Sequence, residues 1–287
     1  MTAGAAWPDG ARGAVCLSFD NLGEAAEIEM GAIPSDAQLG GHPTATTVVP
    51  SILAALAERG LAATFFVEGL NAEVYPDLLK GIDAAGHEVA YHAWRHEQWD
   101  DLTVAEQAGN LARGVAAFQR LGLRMSGMRP PGGGLGAGGL EVFRDAGLLH
   151  SSPAGDGAGA VGGDLALLPF KWRHVDASCL LPPLAPVRER MTGSPEPIDP
   201  DRFLAYLETE LGRLAEGGGF ATIVLHPLTV DSWFGEERLG ALLDRIAAAK
   251  ASGELWVVPG REAARHVLAE ADTYAGGAAL DSTSWSG

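Results

Sequence analysis

The chain has 287 residues, 47% of them hydrophobic, and a formal net charge of -17 at pH 7. That is enough for one large α/β domain or two small ones with a sizeable core. The charge argues against nucleic acid, whose phosphates need clustered Lys and Arg, and it favours a neutral or cationic substrate over an anionic polymer.

Residues 14–19 form a short apolar run ending at Asp20 and read as a buried strand. Residues 21–47, rich in Gly, Pro and acidic side chains, predict a long loop of the kind usually kept for function. Residues 48–59 have a helical period, with Val49, Ile52, Leu53 and Leu56 on one face and Gly60 as the stop. A strand over 61–67, a helix over 75–85 ended by Gly86, and a strand over 87–91 follow. The spacing of Thr103 and Glu106 predicts a capping box at the head of a helix over 103–121. A short strand over 125–128, a Gly-rich turn and a helix over 140–146 come next.

Gly, Ala and Ser dominate 151–164, which predicts a loop; 165–170 and 173–175 read as strands. The Pro-rich stretch 181–200 reads as an extended lid or rim. A helix capped by Asp199 or Asp201 runs to about 216, followed by a strand over 220–225, a helix over 236–250, a strand over 255–258 and a helix over 261–271. The small, polar tail from 273 to 287 is expected to be disordered. Strands alternating with helices imply βαβ units and a mainly parallel sheet, and about seven repeats suggest a barrel. No linker divides the chain, so 1–272 is expected to be one domain.

Cys16 and Cys179 sit in apolar contexts and read as buried thiols. The N-terminus lacks a secretory pattern and no apolar run is long enough to span a bilayer, so a cytoplasmic protein without a membrane partner is expected.

Functional groups of a parallel α/β fold gather at the carboxyl ends of the strands. Asp20 and Asn21, His92 and His96, Arg129, and His226 all fall at such ends. His92-Ala-Trp-Arg-His96 is the strongest local signal: two imidazoles four apart face one way if the segment is helical, which suits two corners of a divalent metal site.

Together these residues resemble the NodB-homology polysaccharide deacetylases, carbohydrate esterase family 4. Ala63-Thr-Phe-Phe-Val67, Ala85-Gly-His-Glu-Val89 and His92-x-x-x-His96 are similar to the family's core stretch. Ser18-Phe-Asp-Asn21 matches its first motif, Arg129-Pro-Pro-Gly-Gly133 its third and Leu225-His226 its last, with Trp172 and Asp176 as counterparts in the fourth region. The resemblance implies a deformed (β/α) barrel and metal-dependent hydrolysis of an N-acetyl or similar acyl group on an amino sugar or small-molecule amide. It implies Asp20 as general base, His226 as general acid, Arg129 orienting Asp20 and Asp176 tuning His226. A divalent ion, zinc foremost with cobalt or nickel as options, would be held by His92, His96 and Asn21, and a backbone N–H near Gly132 would receive the oxyanion.

One departure stands out: the family's second aspartate is Asn21 here, which binds a cation without supplying charge. Glu24, or another residue of the loop up to His42, is a candidate to make up the deficit. The alternatives are a metal-free or weakly metal-dependent hydrolase of cyclic amides or ureides, and a non-catalytic binding protein. Gly134-Leu-Gly136-Ala-Gly-Gly139 fits a dinucleotide fingerprint, but no acidic residue follows in a suitable place, and a pocket rim is the better reading. His42, His87, His150 and His174 read as surface or satisfied core residues; Trp94, Trp99, Trp172 and Trp233 are candidates to stack on a substrate, Trp94 and Trp172 foremost.

Overall fold

The computed structural model describes residues 7–281. Its strands are β1 (Gly13–Asp20), β2 (Thr64–Val67), β3 (Glu88–Tyr91), β4 (Gly127–Met128), β5 (His150–Ser151), β6 (Gly155–Asp156), β7 (Gly159–Val161), β8 (Leu165–Leu167), β9 (Gly219–Leu225), β10 (Leu255–Val257) and β11 (Ala279–Leu280). β1 is buried at every position, as a parallel strand covered on both faces must be. One edge of β1 pairs with β9 from Gly13 to Phe19, and the other is shared between β10 at Gly13–Val15 and β2 at Ser18–Asp20. The sheet then runs β2-β3-β4-β5-β8-β7, parallel until the antiparallel β7–β8 hairpin. An isolated bridge from Val175 to Val224 returns the chain to β9, curling the open sheet into a deformed (β/α) barrel.

The helices follow their sequence signals. Val104–Arg120 starts on the expected capping box, in which Glu106 N donates to Thr103 Oγ1 at 3.4 Å and Thr103 N donates to Glu106 Oε2 at 2.8 Å. Asp199 caps Pro200–Gly217 by accepting from Asp201 N at 2.9 Å and Arg202 N at 3.2 Å. That helix buries Phe203, Leu207, Leu211 and Leu214, spaced for one face against the sheet.

Four expectations change. The Gly-rich stretch 151–164 is not a plain loop: it supplies β7, the antiparallel edge of the main sheet, and β6, which pairs with β11 in a separate ladder. The strand expected over 173–175 is a tight turn, Trp172–His174, leading into helix Asp176–Leu180. The Pro-rich stretch 181–200 contains helix Ala185–Thr192, held down by the buried Arg188 guanidinium, which donates to the carbonyls of Ser178, Leu181 and Pro195 at 2.7–3.0 Å. The tail is ordered as far as it is described: helix Ala271–Tyr274 buries Tyr274, and β11 pairs antiparallel with β6, while residues 282–287 lie outside the described residues.

Both cysteines are buried and free. At the amino end of the strands Glu88 accepts from Ser126 Oγ at 2.6 Å, Thr64 Oγ1 at 3.0 Å and Arg261 N at 2.7 Å, and pairs with His150 Nε2 at 2.8 Å. Burial alone would raise this carboxyl; the His150 charge and the hydroxyl bonds outweigh it and hold Glu88 at about 2. His150 is therefore a core residue tied to Glu88, at the end of the barrel away from the site, although its buried Nδ1 has no hydrogen-bond partner.

Candidate active site

Asp20 ends β1 with its carboxylate buried. Arg129, one residue past β4 and itself buried, gives Nη1 to Asp20 Oδ1 at 2.6 Å and to Ser18 Oγ at 2.9 Å, while Nη2 reaches Ser152 Oγ at 3.0 Å. Its guanidinium lies 4.0 Å from the Phe66 ring centroid, so one face is shut off from water. A charge pair so enclosed needs every donor directed at a partner, and the two serines provide that. The second carboxylate oxygen, Asp20 Oδ2, faces His92 Nε2 at 3.9 Å.

His92 follows β3. Its Nδ1 lies 2.7 Å from the Arg129 carbonyl, which fixes Nδ1 as the donor and leaves the Nε2 lone pair free. The ring of His96 lies 4.8 Å from that of His92, centroid to centroid. The pair does not come from a helix, as its spacing suggested. Ala93 and His96 take left-handed backbone angles (φ 62° and 76°), so the chain folds back on itself in a tight turn. Burial, reinforced by neighbouring positive charge, pushes both imidazoles down to about 3. Each is therefore neutral at physiological pH, the form in which it can ligate a metal.

His226, immediately after β9, pairs its Nδ1 with Asp176 Oδ1 at 2.6 Å, and its main-chain N–H donates to Asp176 Oδ2 at 2.8 Å. Burial would lower this histidine, but the Asp176 charge and hydrogen bonds win, with Asp20 adding to them, and its pKa is raised. Asp20, Arg129, His92, His96 and His226 act electrostatically on one another, so four strand ends deliver one cluster.

Asn21 is left-handed, with φ 61°, a conformation Asn tolerates well, and its buried Oδ1 has no hydrogen-bond partner. An orphaned amide oxygen and two neutral imidazoles together make an N,N,O donor set of the kind a divalent cation takes. Among the described residues no three His, Cys, Asp or Glu side chains are grouped to hold an ion. Glu24 does not make up the missing charge. It accepts from Tyr75 OH at 2.6 Å and Gly40 N at 2.9 Å, bonds that outweigh burial and keep it ionised as a loop anchor. His42 is likewise engaged, with Thr44 and Glu27.

The structure divides the remaining candidates. Gly132 sits in the turn after Arg129 at φ 78°, where a side chain would strike Gln98. Trp172 is half-buried and packs edge-on against Phe170 at 5.1 Å. Trp94 is not at the site: it is buried, with the Arg113 guanidinium 3.4 Å from its ring centroid and Gly69 pressed against its edge. The glycines of 134–139 serve packing. Gly136 and Gly138 lie so close to Gln107 that a side chain would collide with it, and Gly138 N donates to Gln107 Oε1 at 2.8 Å.

Sequence reasoning missed Glu68. This fully buried carboxyl follows β2 and is held by Leu22 N at 3.4 Å and Asn71 Nδ2 at 2.8 Å, while the same Asn71 amide also donates to Leu22 O. Glu68 and Asn71 thus grip both polar groups of the residue after Asn21. Burial pushes Glu68 up to about 8, with the Asp20 charge adding to the rise. Phe66-Val-Glu68, a carboxylate at a strand end, was the available signal.

Residues 11–150 match the polysaccharide deacetylase family. A peptidoglycan-N-acetylglucosamine deacetylase of Listeria monocytogenes is 32% identical over 104 residues, 36% of this chain, which spans only 22% of that protein's length. A crystal structure of a Mycobacterium smegmatis protein assigned to the polysaccharide deacetylases superposes with a TM-score of 0.78 at 26% identity, covering 93% of this chain and 94% of that one. A crystal structure of an allantoinase shares the fold with a TM-score of 0.72 at 20% identity, covering 92% of each chain. The chain thus resembles the polysaccharide deacetylases in sequence over residues 11–150 and in fold over nearly its whole length.

Proposed function

We propose that the chain is an amide hydrolase that removes an acyl group, N-acetyl foremost, from an amino sugar or small-molecule amide, with residues 1–272 as one catalytic domain. The observation that carries this reading is Asp20. It is braced by Arg129 at 2.6 Å and faces the unprotonated Nε2 of His92 at 3.9 Å, in one cluster with His226, whose pKa the Asp176 charge raises. A general base, a pair of neutral imidazole ligands and a general acid are the groups amide hydrolysis needs.

In this reading His92, His96 and Asn21 hold a divalent ion, zinc by ligand preference, with cobalt and nickel suited to the same imidazoles. When bound, the ion would polarise the scissile carbonyl and acidify a water. Asp20 Oδ2, the oxygen Arg129 leaves unused, takes the proton of the attacking water. His226, with Nδ1 committed to Asp176, delivers a proton from Nε2 to the leaving nitrogen. The Gly132 N–H receives charge developing on the carbonyl oxygen, and Trp172 borders the substrate.

Acetate release from N-acetylglucosamine oligomers and from small acetamides, measured with zinc or cobalt and after chelation, tests the proposal. Turnover that Asp20→Asn leaves intact would defeat it. The second reading, a weakly metal-dependent hydrolase of cyclic amides or ureides, is favoured by Asn21, which gives a donor set without an anion. It expects ring opening to continue after chelation.

A further inference from the structure

A groove of about 490 Å³ lies between the segment after β8, helix Ala185–Thr192 and the β6–β11 ladder. Its volume is that of a small-molecule site. Phe170 and Trp172, edge to face at 88°, supply one apolar surface, and Leu280 of β11 supplies another. Three cations line it against two carboxylates. Lys171 is committed to Asp156 at 3.0 Å, and Arg173 gives Nη2 to the Met191 carbonyl at 2.7 Å. Arg190 is exposed and has no ion pair among the described residues. In a chain of net charge -17 this is a local reversal of sign, opposite to what overall charge suggests for a ligand.

The groove lies at the same end of the barrel as the chemistry, although none of Asp20, His92, His96 and His226 lines it. Its walls follow the carboxyl ends of β5 and β8, the end of the barrel that carries Asp20, His92 and His226. Phe170 lines it and also lies 5.2 Å from the Arg129 guanidinium. The segment from Phe170 runs directly into the helix whose first residue, Asp176, binds His226.

We propose that this groove is the specificity pocket of the hydrolase and takes a flat apolar group bearing a carboxylate. The preferred substrate would then be an N-acyl amine whose amine part is an aryl or similar carboxylate, cleaved by water to the free carboxylic acid and the amine. The flat group packs on Phe170 and Trp172, and the carboxylate meets Arg173 and Arg190 in charge-assisted hydrogen bonds. The substrate assignment rests on the hydrolase reading; the pocket itself does not.

Calorimetric titration of the full chain with 2-naphthoate and the uncharged 2-naphthamide tests the pocket without turnover. Naphthoate is expected to bind about tenfold more tightly. Arg190→Gln and, separately, Leu280→Glu, both at exposed positions, are expected to erase that preference, whereas Asp20→Asn keeps it. Equal affinity for the two probes, or a preference that survives both substitutions, overturns the pocket. Kinetics then tests the link to substrate: 4-acetamidobenzoate is expected to show a KM about tenfold below that of 4-acetamidobenzamide, with Arg190→Gln removing the gap through KM rather than kcat. Turnover of both at equal KM overturns the substrate assignment. No turnover of either while acetate is still released from N-acetylglucosamine oligomers also overturns the substrate assignment; no turnover of any of these, with the naphthoate preference intact, sinks the hydrolase reading and leaves the pocket standing.

Discussion

Asp176 holds His226 at two points, accepting its main-chain N–H at 2.8 Å and pairing with ring Nδ1 at 2.6 Å. The first bond fixes where the ring starts, and the second fixes its rotation and tautomer. Asp176 is fully buried, so its charge acts on the imidazole with little screening by water and raises the pKa that burial would otherwise lower.

A general acid works only while protonated, so activity is expected to fall as pH rises through this raised pKa. Asp176→Asn removes the charge that raises it. The alkaline limb of the kcat profile should move to lower pH, and kcat at pH 7 should drop by about 10²–10⁴. A pH–rate profile checks this, and an alkaline limb that stays in place would remove His226 from proton delivery.

Asn21→Asp converts the neutral donor to an anionic one at a left-handed position that Asp also tolerates. If Asn21 Oδ1 is a ligand, zinc affinity measured by competition with a chromogenic chelator should rise by about 10- to 100-fold. Unchanged affinity would exclude Asn21 from the donor set.

Glu68 carries a sign that runs opposite to the usual carboxylate. Its folded pKa of about 8 lies above the unfolded value of 4.5, so its stabilising contribution is complete below 4.5 and declines as pH rises through 8. Glu68→Gln removes the titration while keeping an oxygen for Leu22 N. The variant should gain on the wild type between pH 5 and pH 8 by on the order of 1–3 kcal/mol in urea unfolding. A stability difference that does not change over that range would show that the carboxyl is already ionised in the fold.

Trp94 is a packing residue in this structure rather than a substrate platform. Trp94→Ala should cost about 3–5 kcal/mol of stability, seen as an earlier denaturant midpoint. KM should move little at temperatures where the variant is folded. A large KM change with unaltered stability would return Trp94 to the substrate site.

Much of the scaffold was legible because its signals are local. Residues 14–19 and 220–225 are apolar runs broken only by Ser18 and Thr222, as suits parallel strands buried on both faces. Thr103 and Glu106 marked a helix start that the structure reproduces with both reciprocal bonds. The strands at 155–161 gave no such signal, since Gly and Ala carry no side-chain alternation, and their ladder depends on partners at Leu165–Leu167 and Ala279–Leu280. Helix Ala185–Thr192 was masked by Pro182, Pro183 and Pro186, which start a helix as readily as they prevent one.

The sequence by itself determined which side chains stand at strand ends: Asp20, His92, Arg129 and His226 are each one residue from, or at, the close of an apolar run, and the period of a parallel sheet puts such positions on one rim. Only the tertiary structure decided how they meet. The His92–His96 pair arises from two left-handed residues rather than helical spacing, and Glu68 reaches Leu22 across a separation of 46 residues. Trp94 lies beneath Arg113 while Trp172 borders a groove, although as letters in a sequence the two tryptophans are equivalent. Contacts between residues far apart in the chain leave no periodic trace in it, because each partner answers to the local geometry of its own segment.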